Sequence, residues 1–307
     1  MARHDRKRWR EKSDPDDELI QAIDQLSEKT ALQPSERLRL ETEPDEFTGR
    51  VIDLVAPIGR GQRVLLPSPP KAGKTTILQR IAKAVDENNP DVDLLTLLVD
   101  ERVEEVTDFK RNVPGEVYAS SIDQPPDSHV ETAENTFQNA VERVLRGEDV
   151  LVLLDSLTRL ARTYNKVEHY DGRTLSGGLS AGALDRPRML FGSARRTEDS
   201  GSLTIVASCL VDTGSRMDEV IFQEFKGTGN CELVLDREIA QHRIWPAVDI
   251  DASGTRQEHE LLDDLEQEKI PRLRRKLAEQ EKIAALKTLR SMIRSSESNR
   301  ELLENMA

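Results

Sequence analysis

Aromatic residues are scarce in this chain, at 4%, with six Phe, three Tyr and two Trp. Proteins that hold single strands by stacking bases along a surface need more flat side chains, so a broad stacking platform is excluded. Only two cysteines occur, Cys209 and Cys231, both within apolar runs. They build neither a zinc site nor a disulfide framework, and reduced core thiols are expected. No apolar run approaches the ~20 residues a membrane helix needs, and no secretory leader is visible. The expectation is a soluble, cytoplasmic protein with no membrane partner. Positive charge is in deficit as well. A formal net charge of −13 leaves room for a local basic patch but not for a nucleic-acid field over the whole surface.

What is present is a chain of 307 residues, 36% hydrophobic and 33% charged, long enough for a full core. Residues 1–47 read as a charged, partly helical extension, with one helical stretch near Glu18–Glu28 and no core of its own. The basic opening Ala2–Arg8 reads as a solvated tail. From 48 to 259 the texture changes. Short apolar runs at Arg63–Leu66, Leu94–Val99, Val117–Ser120, Val150–Leu154, Leu203–Leu210 and Cys231–Leu235 alternate with 3.6-periodic segments. Helices are expected at Lys74–Glu87, Val103–Arg111, Val130–Arg146, Ala181–Arg195 and Met217–Phe225. Runs apolar on both faces and separated by helices predict an α/β fold with a mostly parallel sheet and helices on both faces. Residues 260–307 read as a helical extension broken at Pro271.

The chemistry concentrates at Ser68-Pro69-Pro70-Lys71-Ala72-Gly73-Lys74-Thr75, followed by Thr76. This is a phosphate-binding loop between a strand and a helix, with Ser68 where the generic motif has Gly. Gly73 lets the backbone N–H groups turn toward phosphate, Lys74 brings a cation to the β and γ phosphates, and the Thr75 hydroxyl suits Mg²⁺. Asp155 ends the apolar run Val150–Leu154, the expected second metal carboxylate. Glu101 ends another and is the candidate to polarise an attacking water, with Asp100 the competitor. Arg102, Arg159, Arg243 and Arg256 are candidates to neutralise transition-state charge, Arg256 from a neighbouring subunit. Two Gly-containing loops, Tyr170–Gly178 and Asp212–Arg216, each carry one Arg suited to a phosphate backbone.

With these residues assembled, the chain resembles bacterial transcription termination factors of the Rho type from about Pro34 to Glu260. The resemblance is carried by Pro57–Arg63, Pro69–Thr75, Val99–Arg102, Leu154–Arg162, Glu224–Asn230 and Ser253–Arg256. It implies a RecA-like P-loop NTPase core in a homohexamer that hydrolyses ATP with Mg²⁺ and draws single-stranded RNA through a central pore. Lys74, Glu101, Arg256 and Arg243 then form the catalytic set, with Arg256 the trans-acting finger and Arg243 a second interface arginine. Thr75 and Asp155 hold the metal. Gly59, Arg60, Gly61, Gln62, Arg63, Val64, Lys71, Ala72, Gly73, Thr76 and Arg102 join the nucleotide contacts, with Trp245 stacking on the adenine. Arg173, Thr174, Gly177, Gly178, Thr213, Gly214, Ser215 and Arg216 match the RNA-gripping loops. The family's oligonucleotide-binding barrel does not fit into the residues before the motor. The leading reading is an RNA-dependent ATPase and translocase acting in termination, with RNA polymerase or an RNA-delivering protein as further partner. The alternative is a ring-forming regulatory or assembly ATPase that no longer translocates. A rotary or secretion ATPase of the same superfold lacks the Rho-specific strings.

Overall fold

The computed structural model describes residues 15–167 and 176–306. In chain order the elements are α1 (Pro15–Ser27), β1 (Ala31–Leu32), β2 (Arg37–Leu38), α2 (Phe47–Val55), β3 (Ile58–Gly59), β4 (Arg63–Ser68), α3 (Lys74–Asn88), β5 (Val92–Glu101) and α4 (Val103–Asn112). They continue with β6 (Glu116–Ser121), α5 (Pro126–Leu145), β7 (Asp149–Asp155), α6 (Leu157–Val167), α7 (Asp185–Gly192), β8 (Arg195–Thr197), β9 (Ser202–Leu210) and α8 (Arg216–Lys226). The last are β10 (Cys231–Glu232), α9 (Arg237–Gln241), β11 (Gly254–Thr255), α10 (Asp264–Ala278), α11 (Lys282–Arg294) and α12 (Asn299–Glu304).

The main sheet runs β11-β10-β4-β9-β7-β5-β6. From β10 to β6 every neighbouring pair is parallel, and β11 joins the edge antiparallel. Alternate residues of one strand face opposite sides, and the packing follows that rule. Leu66, Leu94, Leu98, Leu151 and Leu153 belong to a core with α2, α3, α10, α11 and α12. Leu65, Leu95, Leu97, Val150, Val152 and Leu154 belong to the opposite core with α1, α5, α6 and α8. Both faces are therefore buried, which is why these strands read as unbroken apolar runs.

The two ends of the chain are part of this packing. Leu19, Ala22, Ile23 and Leu26, at helical spacing on α1, are buried in the same core as Phe137 and Val141 of α5. Among the described residues the extension has no core of its own and instead lends this four-residue stripe to the core of the central sheet. After α1, β1 pairs with β8 and β2 with β3. At the other end the fully buried Arg50 donates Nη1 to the carbonyls of Ile293 at 3.0 Å and Ser296 at 2.9 Å, at and just past the end of α11. Its Nε donates to Asn299 Oδ1 at 3.1 Å.

Two helix boundaries differ from the sequence reading. α10 runs through Pro271 without a break, held by Ile270, Leu273 and Leu277 in the core, and the chain interrupts its helices between Ala278 and Lys282 instead. The helix expected at Ala181–Arg195 is a 3₁₀ turn at Ala181–Leu184, then α7, with Arg195 already in β8. Pro187 lacks an N–H and costs least in a first turn, where no intrahelical bond is lost, and α7 starts afresh at Asp185, two residues before it.

Candidate functional site

Parallel strands bring their carboxyl ends together, and in open α/β sheets ligands approach there. At this edge β4 gives way to the phosphate loop, β5 ends in Glu101 and β7 in Asp155. Gly73, at φ 90°, opens α3 in a left-handed conformation that costs glycine little. A Cβ there would stand 2.7 Å from Trp245 Cζ3, so the absent side chain also lets the indole close on the loop. No side chain caps α3, and its first N–H groups and the positive end of its dipole remain available to an anion. Ser68 is fully buried at the strand end, its hydroxyl donating to the Pro69 carbonyl at 3.2 Å. Its hydroxyl is thus contained in the framework.

Lys74 Nζ lies 2.8 and 2.7 Å from the two oxygens of Asp155 and 3.1 Å from Glu101 Oε1. Burial alone would lower the lysine's pKa, but the two carboxylates hold it above its ordinary value. Glu101 is held above the usual carboxylate range by burial and then by repulsion from Asp155, while Lys74 and Arg159 act against the rise. The Ser208 hydroxyl donates to Asp155 Oδ1 at 2.7 Å and fixes that carboxylate from the neighbouring strand. Asp155, with the half-buried hydroxyl-bearing Thr75 beside Lys74, is a hard-oxygen donor set of the kind Mg²⁺ takes. Among the described residues no group of three His, Cys, Asp or Glu could hold a metal ion.

The four candidate arginines separate. Arg159 enters the site, its Nη1 3.3 Å from Asp100 Oδ2 and its Nε 3.2 Å from Glu101 Oε1. Arg102 is exposed at the start of α4. Arg243 and Trp245 line a cavity of about 350 Å³ with Pro70, Lys71, Arg237 and Gln241, placing both beside their own phosphate loop. Arg256 lies elsewhere: its N–H donates to the Asn230 carbonyl at 2.9 Å, and Asn230 in turn binds the start of β4. At ~3.3 Å per residue, the length of β4 puts Arg256 some ~17 Å from its own phosphate loop.

Gly59, Arg60, Gly61, Gln62, Arg63 and Val64 also sit at that amino end of β4 and are not brought to the phosphate loop. Gln62 Nε2 donates to Asn230 Oδ1 at 3.0 Å, and Arg63 donates to the carbonyls of Thr228 and Ala194, each at 2.9 Å. Arg60 pairs with Asp149 and, at 2.7 Å, with Asp91. These residues tie sheet edges together. Within one chain, a strand separates them from the phosphate loop they adjoin in sequence, so they make no contact with that loop.

Of the two Gly-containing loops, Arg173 and Thr174 lie outside the described residues. Gly177 abuts the start of α8, where a Cβ would stand 2.6 Å from Met217 N, so the loops meet. Ser215 caps α8, Thr213 Oγ1 donates to Asp218 Oδ2 at 2.6 Å, and Arg216 is exposed next to the glycines. Gly214 is exposed at the turn, and Asn165 Nδ2 of α6 donates to the Gly178 carbonyl at 3.2 Å. Arg162 of α6 grips Asp218 at 2.8 and 2.5 Å, so one helix joins the Asp155 end to both loops. Sequence reasoning missed Ser208 and His129. A lone hydroxyl near the end of an apolar strand was the available signal for Ser208. Cys209 and Cys231 are buried free thiols, each pushed up to about 12 by burial and hence inert.

A phosphate loop on a parallel sheet, with a lysine, two strand-end carboxylates and an arginine converging on it, defines a P-loop nucleotide-binding domain. The chain belongs to the ATP synthase alpha/beta family, nucleotide-binding domain, which residues 49–255 match. Within it the chain is Rho-like. It is 56% identical over 272 residues to the transcription termination factor Rho of Micrococcus luteus, covering 89% of this chain and 39% of that protein. To the Rho of Pseudomonas aeruginosa it is 49% identical over 280 residues, 90% of this chain and 67% of the other. The chain thus spans about two fifths of the Micrococcus relative. Among solved structures, an ATPase from the type III secretion system of pathogenic bacteria superposes with a TM-score of 0.74 at 21% identity, over 89% of this chain and 85% of that one. That likeness speaks to the fold alone.

Proposed function

We propose that this chain is the motor part of a Rho-type, RNA-stimulated ATPase that hydrolyses ATP at sites between copies of itself and pulls single-stranded RNA past the Gly177 and Arg216 loops. The observation that carries this reading is the split of the machinery. Lys74, Glu101, Asp155 and Arg159 converge within 3.3 Å contacts at one end of β4, while Arg256 stands at the other end. An arginine there is far from its own phosphate loop, which supports a role at the site of another copy, as in a ring.

On this reading Asp155 and Thr75 would hold Mg²⁺, Lys74 would turn from the carboxylates to the β and γ phosphates, and Trp245 would stack on the base. The metal supplies charge neutralisation on the phosphate oxygens. Glu101, whose raised pKa makes it a stronger base when ionised, holds and accepts a proton from the attacking water. Acting in transcription termination, with polymerase or an RNA-delivering partner, belongs to the same proposal. So does a cytoplasmic setting, with which the absence of a membrane-length apolar helix among the described residues agrees.

The test is ATP turnover by the purified protein with and without polypyrimidine RNA at several salt concentrations. Acceleration by RNA, weakening as salt rises, is the expected result. Turnover indifferent to every RNA at every salt sinks the translocase reading and leaves the non-translocating ring ATPase in its place.

A further inference from the structure

Glu101 owes its direction to the residue before it. β5 carries an irregularity between Val99 and Glu101, where Asp100 takes a left-handed backbone at φ 54°. In an unbroken strand these two acids would point to opposite faces. Here both reach one guanidinium: Arg159 Nη1 is 3.3 Å from Asp100 Oδ2, and Nε is 3.2 Å from Glu101 Oε1. The second contact is an ion pair without the alignment of a hydrogen bond, so the charge is shared rather than committed.

Behind Asp100 stands a buried imidazole. His129 of α5 is 4% exposed, and its Nε2 lies 3.8 Å from Asp100 Oδ1. Its Nδ1 is 2.6 Å from the Ser120 hydroxyl of β6, which donates to Gln124 Oε1 at 2.7 Å. A hydroxyl has one proton, so with that proton given to Gln124 the ring's Nδ1–H is the donor to Ser120. Nε2 then faces Asp100 as a lone pair in the neutral ring and as N–H in the charged one. The charges acting on the ring are Asp100 from β5 and Lys166 from α6, and β6 offers only the uncharged Ser120.

Resting on the ATPase reading, we propose that His129 is a positioning residue for hydrolysis, which through Asp100 sets how Arg159 divides its charge between Asp100 and Glu101. With the ring neutral, Asp100 holds Arg159 and leaves Glu101 basic enough to take a proton from water. With the ring protonated, Nε2–H claims Asp100 in a charge-assisted contact, and Arg159 turns its charge onto Glu101. Glu101 then loses basicity and turnover slows. Burial holds the ring below the usual imidazole range, against the pull of Asp100, so the neutral form prevails at pH 7 and the change falls on the acid side.

The experiment is kcat and KM for ATP at saturating RNA from pH 5.5 to 8.5, on the wild type, His129→Gln and Lys166→Gln. His129→Gln moves the acid limb of kcat to lower pH, so that turnover at pH 6 relative to pH 8 rises about threefold over wild type with KM unchanged. Lys166→Gln alters an exposed side chain and leaves the buried ring in place. Removing that cation eases protonation of the ring, so its acid limb moves up by a few tenths of a pH unit while the pH 8 rate stays at wild type. An acid limb unmoved in Lys166→Gln, or unmoved in a folded His129→Gln, overturns the proposal. No turnover in the wild type would instead overturn the ATPase reading on which it stands.

Discussion

The two ends of β4 are built to opposite plans. At the carboxyl end, Lys74, Glu101, Asp155, Arg159 and Ser208 converge on one another within 2.7–3.2 Å, most of them buried. At the amino end, Gln62 and Arg63 are consumed in holding Asn230 and the carbonyls of Thr228 and Ala194. That scaffold leaves Arg256 exposed on a cavity of about 380 Å³ with Lys226, Asn230 and Glu232. On the proposed reading, one end is a site lacking an outside charge and the other a platform offering one, and a second copy of the chain would join them, as rotation does in RecA-type rings.

The sharpest way to break this comparison is to remove the offered charge. Arg256→Ala is expected to lower turnover about 10³-fold, roughly 4 kcal/mol, with binding of a fluorescent ADP analogue retained. Mixing Arg256→Ala with Lys74→Ala subunits restores part of the activity, because some interfaces then pair an intact loop with an intact finger. Mixtures as dead as either parent would place Arg256 outside the chemistry. A second test asks whether the framework is as rigid as the division requires. Arg50→Met removes the guanidinium that donates to the carbonyls of Pro44, Ile293 and Ser296, and a loss of about 3 kcal/mol in urea unfolding is expected. A midpoint unchanged from wild type would show the terminal helices to be appended to the core and not part of it. The smallest effect concerns the base. Trp245→Ala should raise KM for ATP about tenfold with kcat little altered, since stacking acts equally on ground and transition states. A fall in kcat without change in KM would move Trp245 from the base to the chemistry.

The site residues were legible to the extent that their signal is local. Gly73, Lys74 and Thr75 follow a strand and open a helix, and Asp155 and Glu101 end apolar runs, so residue type and spacing alone marked them. Arg159 could be marked only as one arginine among four. Its placement depends on α6 carrying it back over β5, which no window of sequence records. The two-residue strands β10 and β11 have no period to read, yet they decide that Arg256 stands beside Asn230. α1 was visible as a helix, but its docking on α5 was not, since four apolar residues among acids do not say which surface receives them.

By itself the sequence determined the parallel α/β core, because strands buried on both faces must be apolar throughout, and it determined the phosphate loop, because its chemistry lies within eight consecutive residues. Tertiary structure decided what those residues face. It set Glu101 and Asp100 on one guanidinium through an irregularity in β5, brought Trp245 onto Gly73, and carried Gly59–Val64 away from the phosphate loop they adjoin in sequence. Contacts between residues a hundred positions apart follow from strand order and register, which depend on how the whole sheet packs and not on any one segment.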